Sequence, residues 1–224
     1  MKNNNPIYNI FWVTLFAVAM AFVESAVVVY LRAIFYPGGF SFPLRAMVDY
    51  KIFVEVMREV ATLVMLAVIA HIAGRKFWER FGYLMISFGV WDIFYYVWLK
   101  VLLDWPASLL EWDVLFLIPL PWIGPVIAPV SISVLMVIFG VLIVYAIRKG
   151  QEFKPAVMSY ILAFAGVIIV LYSFLYDVDA TLHQQVPKPY QYELLILGDI
   201  LFIASFLISY LKCRDKACLA PSSN

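Results

Sequence analysis

An all-α integral membrane protein of six transmembrane helices is the fold the sequence predicts, and three observations predict it. Of 224 residues, 65% are hydrophobic and only 14% are charged, whereas a soluble domain carries roughly 45–50% apolar and about 25% charged residues. Mean hydropathy is +0.92. The apolar residues also gather in six continuous runs, where a transmembrane β-barrel would show alternation over about ten residues.

Each run meets or approaches the roughly 20 residues that a hydrocarbon core of about 30 Å demands of a helix. They cover 10–30, 54–73, 81–103, 126–147, 156–176 and 194–211. Lys2 ahead of the first run resembles a signal peptide, with Ala19-Met20-Ala21 as a cleavage site, but the run continues well past Ala21 and is read as an uncleaved first span. The fourth and fifth runs hold no charge, while the other four do. Residues 1–212 form one membrane domain and 213–224 a short polar tail. Cys213 and Cys218 are expected to be free thiols.

Lysines and arginines between the runs set the orientation. One side collects Lys2, Arg75, Lys76, Arg80, Arg148, Lys149, Lys154, Lys212, Arg214 and Lys216; the other has only Arg32, Arg45, Lys51 and Lys188. Both termini are therefore expected in the cytoplasm, in a bacterial inner membrane, with loops 31–53, 104–125 and 177–193 outside. Loop 104–125 is too apolar for a solvated tether and too broken by Pro119, Pro121 and Pro125 for a span. Ser108 followed by Glu111 makes a capping box, which predicts a short interfacial helix over about 109–118. Trp105, Trp112 and Trp122 suit headgroup depth. With Pro37-Gly38-Gly39 in the first outer loop and Pro187 and Pro189 in the third, the outer loops read as a lid.

An ionisable residue at the centre of a span costs about 2.5–3.5 kcal/mol on insertion scales. The runs hold Glu24, Glu55, Arg58, Glu59, Asp92, Lys100 and Asp199, all central or outward. Asp92 and Asp199 fall near mid-membrane and Glu24 slightly outside it. On the second run Glu55, Arg58, Glu59 and Thr62 share one helix face; on the third, Asp92, Tyr96 and Lys100 do so. Lipid offers no partner to an ion or hydroxyl, so both stripes should face inward. The expected substrate- or ion-binding set is Glu24, Glu55, Arg58, Glu59, Asp92, Tyr96, Lys100 and Asp199, with Arg58 and Lys100 partly neutralising the carboxylates. Such charges also serve as plain interhelical glue, worth about 0.6 kcal/mol each on average.

The remaining signals mostly exclude. A net charge of +1 gives no field for nucleic acid. Two cysteines rule out a disulfide scaffold or a Cys-rich metal site. His71 and His183 fall at opposite ends of the bundle and cannot share a haem. No phosphate loop, zinc-protease or serine-hydrolase motif is present, and no cofactor is called for; the scattered Met and dense aromatic residues read as packing and interfacial belts. Gly89-Val90-Trp91-Asp92-Ile93 is echoed by Gly198-Asp199-Ile200, but the other helices show no matching repeat.

Three functions fit. A small carrier for a cation, proton or cationic substrate leads, because mid-membrane charges most often mark ion pathways. A non-catalytic subunit of a larger membrane complex, such as a respiratory one, is the alternative, and an intramembrane lipid- or isoprenoid-modifying enzyme comes third. The partners in these readings are the bilayer and either a second copy or other membrane subunits.

Overall fold

A computed structural model describes residues 6–44, 49–118 and 120–219. Lys2, Arg45, Pro119 and residues 220–224 lie outside the described residues, as do the side chains of Asp49 and 214–219, Cys218 among them. The chain runs α1 (Pro6–Phe35), α2 (Asp49–Ala73), α3 (Phe77–Leu103), β1 (Trp112–Phe116), β2 (Trp122–Pro125), α4 (Ile127–Arg148), α5 (Val157–Leu175), α6 (Val178–Leu182) and α7 (Tyr192–Leu219). Five stretches are long and apolar enough to cross a membrane: α1, α3, α4, the α5–α6 stretch and α7. This fits an integral membrane protein built from helices. Helix α7 continues beyond the boundary expected at 212, with Cys213 buried against the α4–α5 connection.

Helix α3 is central and packs on α1, α2 and α4, while α5 and α7 pair with each other and join the rest where α7 meets α4 and α5 meets β2. Lipid supplies little hydrophobic drive between helices, so close backbone approach over small residues takes its place. A Cβ added to Gly140 would lie 2.6 Å from the Gly82 carbonyl oxygen, which fixes how tightly α3 and α4 cross. Gly198 packs equally closely on Val170 and holds α7 against α5. Large apolar side chains such as Phe11, Phe53, Val101, Phe164 and Ile196 stay on the outer faces of the bundle.

The expected helix over 109–118 is not there. Residues Trp112–Phe116 form a strand paired antiparallel with Trp122–Pro125, in the register Trp112 to Pro125, Asp113 to Gly124 and Val114 to Ile123. The Ser108–Glu111 pattern closes a turn instead of capping a helix: the Ser108 Oγ accepts from the Leu110 N–H and the Ser108 carbonyl from the Glu111 N–H. Aromatic and β-branched residues in Trp112-Asp113-Val114-Leu115-Phe116 favour extended backbone, and Pro121 cannot donate within a continuing helix. The all-α expectation is corrected to that extent, by one small β-hairpin lying across one end of the bundle.

The opposite end, which carries the N-terminus of α1, is closed by a buried ion pair. Glu79, in the first turn of α3, pairs with Arg148 at the end of α4 and accepts the Arg75 backbone N–H at 2.7 Å. Asn9 donates to the Ala73 carbonyl at 3.1 Å, tying α1 to the end of α2.

Candidate functional site

The hairpin end holds a cavity of about 410 Å³ bounded by α1, α2, α3 and β1, with the 36–44 loop and the end of α6 through Gln184 at its rim. Its wall is mostly apolar and aromatic, including Phe35, Phe40, Trp91 and Phe116, but five carboxylates and two guanidiniums also line it. Six of the sequence-predicted residues meet here: Glu24, Glu55, Arg58, Glu59, Asp92 and Tyr96. Helical spacing explains why. Glu55, Arg58, Glu59 and Thr62 form one stripe on α2, and that stripe faces Glu24 on α1.

Arg58 is the hub of the stripe. It forms an ion pair with Glu24, and its Nε donates to Glu55 Oε2 at 2.8 Å. The Thr62 hydroxyl donates to Glu24 at 3.1 Å. Glu59 turns toward the hairpin, where both of its oxygens accept the Leu117 backbone N–H at 3.0 Å. Asp92, on α3, accepts from the Ser133 hydroxyl of α4 at 2.8 Å. Glu24, Glu55 and Glu59 are all buried. Among the described residues no ion pair joins Glu59 or Asp92. Ser25 Oγ, beside Glu24, donates to carbonyls of Ala21 and Tyr95 and so anchors α1 to α3 at the depth of the site.

Two predicted residues lie elsewhere. Lys100 was expected to neutralise the interior carboxylates, but it sits in the last turn of α3, half-exposed, and pairs with Asp104 at 2.7 Å. The reason is geometric: α3 ends at Asp104, whose backbone adopts φ 53° and points the carboxylate back at the lysine one turn earlier. Asp199, on α7, lies on the far side of α4 beside Ser131, outside the cavity. Asp92 and Asp199 thus each take a serine of α4, but not the same space.

Sequence reasoning missed a second charged pair. Arg32, in the last turns of α1, donates to Asp113 of β1 at 3.1 Å, with both side chains buried. The guanidinium is sandwiched between the Phe40 ring at 4.3 Å and the Trp105 ring at 3.7 Å, a placement that favours a cation over aromatic faces. Tyr96 is hydrogen-bonded to the same carboxylate. Burial in the hairpin pushes the Asp113 carboxyl up to about 6, with Arg32 pulling it back down. Read along the chain, both residues fall in loops between the apolar runs. The available signal was Arg32 following Glu24 at two turns on α1, and an aspartate flanked by Trp112 and Val114.

This hairpin is therefore fastened to the bundle by site residues themselves, through Arg32–Asp113 on α1 and Glu59–Leu117 on α2. Among the described residues, no group of three or more His, Cys, Asp or Glu is arranged to hold a metal ion. No protein-family model, curated protein or solved structure matches the chain.

Proposed function

We propose that the chain is a small six-span carrier that binds a cation, a proton or a small cationic substrate in the hairpin-end cavity. In this reading α2 crosses the bilayer with the five more apolar stretches. Both termini face the cytoplasm of a bacterial inner membrane, and the cavity faces outward. The observation that carries it is the charge imbalance within one cavity. Arg58 serves Glu24 and Glu55, Arg32 serves Asp113, and Glu59 and Asp92 are left with only a backbone N–H and a hydroxyl. Carboxylates in such surroundings either hold a proton or attract a cation. A purely structural network would be expected to match its charges, because uncompensated buried charge is costly.

Purified protein in proteoliposomes tests the reading. Rapid jumps of proton, sodium or choline concentration across a supported membrane should give a charge movement with at least one of them. Asp92→Asn and Glu59→Gln, checked for folding by gel filtration, should abolish it. No response to any of the three, or an unchanged response in both variants, would overturn the carrier. Native mass spectrometry of gently extracted protein is the companion test. Reproducible binding of different polypeptides would instead support a subunit of a larger complex.

A further inference from the structure

A second cavity, also about 410 Å³, lies at the other end of the bundle, between the α3–α4 pair and the α5–α7 pair. Along α4 it extends from Ile143 to Ile132, which at 1.5 Å per residue is roughly 16 Å. That is about half of a 30 Å hydrocarbon core, the depth of one leaflet.

Its wall changes character in the order a phospholipid does. The mouth is formed by Phe153 and Pro155 of the α4–α5 connection. Lys154 lies between them, exposed and paired with Glu152, and Lys212 is exposed at the same end, while Lys149 Nζ lies over the Tyr145 ring outside the cavity wall. The Cys213 thiol donates to the Glu152 carbonyl at 3.5 Å, which brings the end of α7 and its Lys212 to this mouth. Slightly deeper come three hydroxyls, Ser159 in the first turn of α5 and Ser205 and Ser209 on α7. Ser205 Oγ donates to the Ser159 carbonyl at 2.7 Å, while Ser159 Oγ is buried with no partner. Deeper still, Leu135, Met136, Ala163, Val167 and Phe202 make the wall wholly apolar.

We propose that this cavity binds one anionic phospholipid of the adjacent leaflet. An acyl chain fills the apolar depth, an ester carbonyl accepts from the Ser159 hydroxyl, and the phosphate sits between Lys154 and Lys212. A buried Ser159 hydroxyl without a protein partner just inside the mouth gives the polar part of a lipid a donor that a purely apolar crevice lacks. Two lysines against one glutamate supply the charge selection, at about fivefold preference for an anionic headgroup per lysine near the surface.

The test uses the full chain in detergent with equal amounts of palmitoyl-oleoyl phosphatidylglycerol and phosphatidylcholine, followed by native mass spectrometry. The wild-type chain should retain the phosphatidylglycerol at least about fivefold more often. Replacing Lys154 and Lys212 together by alanine should remove the preference while both lipids still bind. Ala163→Phe, which fills the apolar depth, should remove both. Equal retention of the two lipids by the wild-type chain would overturn the proposal. A phosphatidylglycerol carrying a photoreactive diazirine at its acyl terminus locates the chain without any substitution. Label on Met136 or Phe202 is expected, and label confined to outward residues of α5 such as Ile161, Phe164 and Ile168 would also overturn it.

Discussion

Arg58 and Lys100 are both basic residues on helices lined with carboxylates, and their surroundings set opposite expectations for their loss. Arg58 lies between buried Glu24 and Glu55, so Arg58→Met leaves two carboxylates without a cation. Breaking a buried pair costs about 3–5 kcal/mol, and a large drop in the thermal midpoint in detergent is expected. Lys100→Ala only frees an exposed side chain from Asp104, and should leave the midpoint where it was. Asp113 gives a pH signature. Its carboxyl, held at about 6 in the folded hairpin, has an ordinary value near 3.9 when unfolded. A raised folded value favours the folded state fully below about pH 4, and that contribution is lost as pH rises through about 6. The midpoint of the wild-type chain, measured against Asp113→Asn, should therefore fall between about pH 4 and pH 7, whatever constant offset the lost ion pair adds. A flat difference would show that Asp113 does not titrate in this window. Glu24, Glu55, Arg58, Glu59, Asp92 and Tyr96 were legible because helical spacing and the cost of charge in lipid both act along the chain. Arg32–Asp113 was not, because residues 81 apart in sequence meet only once the hairpin folds over α1.

The helices could be read because a continuous apolar run has few alternatives in a bilayer, where every backbone group needs an internal partner. The hairpin could not. Ser108 and Glu111 satisfy the local rule for a helix start, yet the Glu111 carbonyl accepts the Val126 N–H at 2.9 Å and the Leu109 carbonyl the Ile127 N–H at 2.8 Å. Those partners are supplied by the start of α4, so the choice between helix and strand is made by tertiary pairing. Helix crossing is decided at single residues as well. Gly140 faces the Gly82 carbonyl so closely that Gly140→Leu must separate α3 from α4. Overpacking of this kind costs about 1–3 kcal/mol or more. Gly38, in a turn with nothing near its Cα hydrogens, should accept alanine with no change. Thermal unfolding of the two variants side by side checks the contrast, and equal stability would mean that the α3–α4 contact is looser than the glycines imply.

Across the whole molecule the two ends carry different chemistry. The acid-rich cavity sits under the hairpin, while Lys149, Lys154, Lys212 and the Glu79–Arg148 pair gather at the other end. If basic flanks set the topology, the hairpin faces outward and the lysine-rich end inward, and the six crossings proposed above would return both termini to the same side. Single cysteines introduced into a chain with Cys213 and Cys218 replaced by alanine test both points at once. Gln184→Cys lies at the rim of the hairpin-end cavity, and Lys149→Cys lies exposed after α4. A membrane-impermeant maleimide added to intact spheroplasts should label position 184 and leave 149 untouched until the membrane is permeabilised. The reverse pattern would turn the cavity toward the cytoplasm, where a site open to outside cations loses its rationale. A third cysteine at Tyr8, exposed at the start of α1, counts the crossings. It should behave like position 149 if α2 spans the membrane, and like position 184 if α2 lies along one face and the first crossing returns only at α3.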